Sequence, residues 1–132
     1  MTAVLLLSGT AQAKFGVTGA GSATLGATTI RNASGLTSAC STKPGPDDVV
    51  LNWTVSPDSA FVSYVITRTG TNGAPTATIN AAGTATTATD TSVTNTTGYT
   101  LTYTIRAVVG TSWTTTASAS TTRTFTQNGK CS

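Results

Sequence analysis

The chain has 132 residues, enough for one domain around one hydrophobic core, and only 8% of them are charged, against about 25% in an ordinary globular protein. A formal net charge of +3 arises from seven dispersed Lys and Arg residues set against four Asp and no Glu. No two basic residues are adjacent and His is absent, which argues against a nucleic-acid surface and removes the commonest general base and metal ligand.

Residues 1–13 carry an apolar run, Ala3-Val4-Leu5-Leu6-Leu7, followed by Ala11-Gln12-Ala13. That order reads as the end of a secretory signal, with cleavage expected after Ala13. No basic residue precedes the run, so two readings stay open: a start inside a longer signal, or a retained apolar segment. The run is shorter than the roughly 20 residues needed to cross a bilayer, so the membrane is a partner only during export. Residues 14–35 are small, polar and glycine-rich and read as an extended N-terminal arm, with one strand around Ala23–Ile30.

From residue 36 the pattern changes. Leu36–Ser41 is a first strand, and Lys43-Pro44-Gly45-Pro46-Asp47-Asp48 is a turn cluster that cannot continue a sheet. Val49–Val55 places Val49, Leu51, Trp53 and Val55 on one face at period two. After Ser56-Pro57-Asp58-Ser59, the stretch Phe61–Thr69 turns Val62, Tyr64 and Ile66 inward. Asn72-Gly73 is a tight-turn signal, and Thr76–Ala81 and Thr84–Thr91 are weaker strands split by Ala82-Gly83. Tyr99–Val109 alternates Tyr99, Leu101, Tyr103, Ile105 and Ala107, and Trp113–Phe125 reads as one long final strand. Strands this short, with turns every 8–12 residues, are the mark of an all-β sandwich of about seven strands. The expected core is Leu51, Trp53, Tyr64, Ile66, Leu101, Tyr103 and Ile105, and the sandwich is expected to occupy 36–132.

Cys40 and Cys131 bracket the strand-rich region. An even cysteine count so placed reads as a disulfide in an oxidising compartment, the alternative being two buried thiols in a reducing one. Their spacing does not form a CxxC motif.

Over residues 36–126 the succession resembles a fibronectin type III domain. Leu51-Asn52-Trp53 matches the family's second-strand tryptophan, Tyr64-Val65-Ile66 its third-strand pattern, and Val93 followed by Tyr103-Thr104-Ile105-Arg106-Ala107 its sixth. The usual Pro-Gly before the sixth strand is replaced by Thr96-Thr97-Gly98, and no Arg-Gly-Asp occurs. The resemblance implies an immunoglobulin-like sandwich, and a narrower resemblance is to short exported actinobacterial proteins that carry a Cys just before and just after such a domain. Thr10–Ile30 is similar to the cleavage-site region of SipW-type exported fibre proteins, which implies an arm that donates a strand to a neighbour.

No constellation for catalysis emerges. The four carboxylates, Asp47, Asp48, Asp58 and Asp90, all fall in expected turns, where Asp commonly bonds its own backbone. Asp47-Asp48 lacks the alternating ligand spacing of a calcium loop, and no G-x-S-x-G elbow exists. A non-enzymatic protein without metal or cofactor is therefore expected. Trp113, just after a Gly-Thr-Ser turn, is the candidate recognition surface, for stacking on a sugar or packing in an interface; the alternative is that it covers the end of the sandwich.

About a quarter of the residues are Thr. Its β-branch suits strands and its hydroxyl stays wet on an outer face. A Thr/Ser face lacks the charges that usually guard sheet edges. The expectation is a secreted or cell-surface structural or adhesion module, with a second copy of itself or an envelope or extracellular polymer as partner and fibres formed by strand addition. The alternatives are a polysaccharide-binding accessory module and a structural protein of a bacterial virus.

Overall fold

A computed structural model of the chain describes residues 29–60, 62–93, 98–110, 113–117, 119–126 and 129–132. The apolar segment 1–13, the arm as far as residue 28, and Phe61 at the head of an expected strand lie outside the described residues.

The strands are β1 (Ser34–Ser41), β2 (Asp48–Thr54), β3 (Ser63–Gly70), β4 (Ala77–Ala82), β5 (Thr87–Asp90), β6 (Tyr99–Val109), β7 (Trp113–Thr114) and β8 (Ala119–Phe125). They form a β-sandwich of two antiparallel sheets. One has the order β1-β2-β5, and the other runs β4-β3-β6, with β7 and β8 following each other along the free side of β6. Since β7 and β8 share one position, the sandwich has seven strand positions, three facing four.

Period-two alternation builds the core. Val49, Leu51 and Trp53 of β2, Tyr64 and Ile66 of β3, and Leu101, Tyr103, Ile105 and Ala107 of β6 are all buried, joined by Val62, Val93 and Phe125. Each aliphatic or aromatic side chain taken from water contributes about 1.5–3 kcal/mol. The Trp53 and Tyr64 rings meet edge to face at 5.8 Å, a geometry that aligns one ring's positive edge with the other's negative face. The opposite face of the larger sheet is a hydroxyl lattice. Thr78, Thr67, Thr104 and Ser120 lie side by side across β4, β3, β6 and β8, and Thr69, Thr102 and Thr122 form a parallel row. Such cross-strand pairs support a sheet without charge.

The final strand departs from the sequence reading. Thr114 lies opposite Val108 and Ala119 opposite Ile105, so five steps of one strand run beside three of the other. The bulge arises where Asn32 enters the ladder. The Ala107 amide donates to Asn32 Oδ1 at 2.8 Å and to Thr115 Oγ1 at 2.9 Å, while Asn32 Nδ2 donates to the Thr116 carbonyl at 2.6 Å. A side chain 75 residues away thus takes over a backbone role, leaving no local signal in the strand that it interrupts. Thr29–Asn32 and Thr115–Ala117 line a groove of about 370 Å³ at this point.

Two turns show why particular residues are required. Asn72 and Gly73 both adopt left-handed backbone, with φ of 55° and 77°, as a type I′ turn demands. Gly83, after β4, is needed for space: a Cβ there would stand 2.1 Å from the Val62 carbonyl oxygen and 2.2 Å from that of Ser59. Both obstacles are backbone, so Gly83→Ala should destabilise the domain by about 1–3 kcal/mol or more. A urea midpoint unchanged by this substitution would contradict the close approach.

Candidate functional site

The four Asp residues come first, because they hold all the acidic chemistry the chain has. Asp90 is the last residue of β5, within the strand expected over Thr84–Thr91, and is buried, with its side chain 1% exposed; Asp48 opens β2, so both are corrected from turns to strand ends. Its Oδ2 accepts from Arg68 Nη1 at 2.6 Å and from the Tyr103 hydroxyl at 3.0 Å. Oδ1 accepts from the Ser92 amide at 3.1 Å and the Ser92 hydroxyl at 2.7 Å. Arg68 Nε also reaches the Pro75 carbonyl at 3.2 Å. Asp90 belongs to the smaller sheet and Arg68 and Tyr103 to the larger, so the cluster clamps one sheet to the other through the core. Burial by itself would raise the Asp90 carboxyl, but the Ser92 hydroxyl, the Arg68 guanidinium and the Ser92 amide outweigh it and hold it below the usual range. Burial, then the neighbouring Asp90 charge, push the Tyr103 phenol far up, so it stays protonated and donates. With four donors on one carboxylate, no lone pair is left for a substrate proton.

Asp47 anchors the C-terminal segment. Its Oδ1 accepts from Lys130 Nζ at 3.0 Å and its Oδ2 from the Cys131 amide at 3.0 Å. The same ammonium donates to the Lys43 and Gly45 carbonyls at 2.8 and 2.9 Å, so all three of its protons are used. A lysine therefore sits within the oxygen cluster of the 43–47 turn where a calcium reading would put the ion. Asp48 pairs with Lys43 at 2.6 Å. Next to this cage, Cys40 and Cys131 form a disulfide across 91 residues. Backbone pairs of Thr126 with Lys130 and Thr124 with Ser132 fold the tail against β8, and the Arg123 guanidinium donates to the Ser38 carbonyl. Ser38 and Thr121 hydroxyls meet at 2.8 Å. The flank where β1 faces β8 is thus sealed by covalent, ionic and backbone links.

Asp58 does the same at the other end of the described chain. It accepts from the Arg31 amide at 2.8 Å and pairs with its guanidinium at 2.9 Å. Buried Ser56 gives its hydroxyl proton to the Arg31 carbonyl at 2.6 Å, and its amide donates to the Tyr64 hydroxyl at 2.7 Å. Ile30 also packs against the core, so the packed region reaches back beyond Leu36.

Every Asp is therefore in an ion pair, and three are held below the ordinary carboxylate range. For Asp47 the Cys131 amide leads and Lys130 follows; for Asp58 the cause is the Arg31 side chain and then its amide. The unfolded chain, with Asp near 3.9, binds more protons than the folded one as pH falls through this region. Stability should thus hold from neutrality to about pH 5 and drop below about pH 4, as the depressed folded values are passed. Melting temperatures at pH 7, 5, 4 and 2.5 check this; a fall between pH 7 and 5 would contradict it.

Among the described residues the opposite flank has no disulfide and no folded-back tail, and its ionic link, Arg68 to Asp90, lies inside the core. Among the described residues no strand pairs with the outer edge of β4 or of β5. Between Arg68 and Asp90 the sequence has no charged residue, and those two neutralise each other inside the core. β4 is six residues of continuous strand, without proline and without a register shift against β3. Natural edges are usually blunted by charge, proline, bulges or a covering segment.

Trp113 opens β7, where its backbone pairs with Val109; its side chain lies outside the described part of the structure. Among the described residues no three potential metal ligands converge. No family model matches the chain, and no curated protein matches it.

Proposed function

We propose that the chain is an exported, non-enzymatic structural module of the cell surface or extracellular space, assembling with copies of itself by strand addition through its N-terminal arm. The observation that carries this reading is the contrast between the two flanks. One is closed by a disulfide, a lysine cage and a folded-back tail, while the other presents an uncharged, unbulged edge strand. An open edge offers a row of backbone donors and acceptors, and main-chain pairing there gives affinity without any dedicated side-chain site.

Export is supported by the disulfide, since such bonds persist in oxidising compartments, and by the Ala11-Gln12-Ala13 pattern. The fibronectin type III resemblance is supported by the three-against-four sheets and by burial of Trp53, Tyr64 and Tyr103. The non-enzymatic reading is supported by four carboxylates that are all committed to ion pairs.

Deletion of residues 14–28 tests the assembly. It stops before Ile30, which packs on the core, so the sandwich is left whole. The full chain should form elongated oligomers by sedimentation velocity and electron microscopy, and the deletion should leave monomers with an unchanged circular dichroism spectrum. Oligomers that persist without the arm would overturn the role given to it.

A further inference from the structure

Resting on that reading, we infer that the strand donated in assembly is Ala23–Thr28, that its acceptor is the outer edge of β4 in a second copy, and that the order is head to tail. The sequence of β4 is Ala77-Thr78-Ile79-Asn80-Ala81-Ala82, and the arm contains Ala23-Thr24-Leu25-Gly26-Ala27-Thr28. The two share Ala-Thr-aliphatic-x-Ala in the same order. In β4 this pattern turns Ala77, Ile79 and Ala81 toward the interior, where Ile79 and Ala81 pack at the margin of the core, and leaves Thr78 and Asn80 exposed. A strand with the same alternation, laid beside β4, puts Ala23, Leu25 and Ala27 over the core margin. Thr24 and Thr28 then extend the hydroxyl lattice that ends at Thr78. Neither strand carries a charge, so their juxtaposition buries no unpaired ion.

The position of Thr29 makes the donation intermolecular. Thr29 lines the groove beside Thr115–Ala117, on the β7–β8 flank of the larger sheet, whereas β4 is the opposite edge of that sheet. Three strand spacings and one more for an added strand amount to about 19 Å, while Thr28 is a single peptide unit, about 3.8 Å, from Thr29. Thr28 therefore cannot stand on the β4 edge of its own molecule, so a strand that pairs residues 23–28 with β4 along its whole length must join two copies. Donor and acceptor lie on different flanks, so the contact is heterologous, and repetition gives an open chain of subunits instead of a closed dimer.

The test places a photoreactive phenylalanine analogue at the exposed position Asn80 of the full chain, in an equal mixture of isotopically light and heavy copies. After irradiation, cross-linked peptides are read by mass spectrometry. The expected products join residue 80 to peptides from 23–28, with light–heavy pairs as abundant as same-isotope pairs. In parallel, Leu25→Lys and Thr78→Lys should each lower the oligomeric fraction at least tenfold while leaving the melting temperature within a few degrees. Cross-links to another copy's β4, to β8, or to residues 14–22 would overturn this inference while leaving arm-dependent assembly standing. A full chain that stays monomeric at all concentrations would overturn both.

Discussion

Replacing Asp90 with alanine should destabilise the domain by about 3–5 kcal/mol, the largest loss expected from any single charged residue in the chain. The reason is the charge that would be left behind. Arg68 is only 3% exposed, and without Asp90 its guanidinium would sit in the core opposite no anion, with the Tyr103 hydroxyl also losing its acceptor. Asp90→Asn should cost less, since it keeps the shape and some of the hydrogen bonds. The double replacement Arg68→Met with Asp90→Leu should recover much of the loss, because it removes both desolvated charges together. Urea denaturation of the three variants separates these cases. If Asp90→Ala and the double variant proved equally unstable, the loss would come from packing and not from an orphaned charge.

Cutting the disulfide should produce the second large effect. The Cys40–Cys131 bond closes a loop spanning a 91-residue separation, and removing it frees the unfolded chain by up to about 4–5 kcal/mol on chain-entropy grounds. The Cys40→Ser, Cys131→Ser variant should therefore melt well below the parent. Its C-terminal residues 129–132 should also exchange amide hydrogens faster, held only by the bonds of Lys130 and the residue 131 amide to the 43–47 turn and by a few backbone pairs. The parent treated with reductant should behave in the same way. A midpoint lowered by less than about 1 kcal/mol would show that the Lys130 cage and the tail pairs suffice for closure.

The core strands were legible because β2, β3 and β6 bury alternate residues without a break. Val49-x-Leu51-x-Trp53 and Leu101-x-Tyr103-x-Ile105-x-Ala107 each put large side chains on one face, and the sheets bury that face. The Asn72-Gly73 turn was legible because left-handed backbone has few residue solutions. The clamp was less so, although its signal was present: Arg68 continues the series Tyr64, Ile66 at the same spacing, which places a charge inside. Asp90 looked like a turn residue because Asp is common there, and its partner is 22 residues away. The bulge between β7 and β8 and the Lys130 cage had no local signature, since Asn32 and Lys130 act on segments 75 to 87 residues distant. Contacts between side chain and remote backbone leave no periodicity for a sequence reading to find.

The sealed and open flanks together give the domain a direction. Ion pairs and the disulfide are concentrated where β1 meets β8 and where the arm enters, and they make that side rigid. Among the described residues β4 pairs its backbone with β3 alone, over six residue pairs, and it has no charge to repel a neighbour. A threonine-rich outer face fits this arrangement, as it stays hydrated without fixing a net charge that would oppose close packing of copies.

Hydrogen–deuterium exchange, comparing dilute monomer with concentrated assembled protein, tests this polarity most directly. Assembly through the open flank predicts new protection at residues 77–82 and in the arm at 23–28, with 119–132 unchanged between the two states. New protection along 119–126 with none at 77–82 would contradict it.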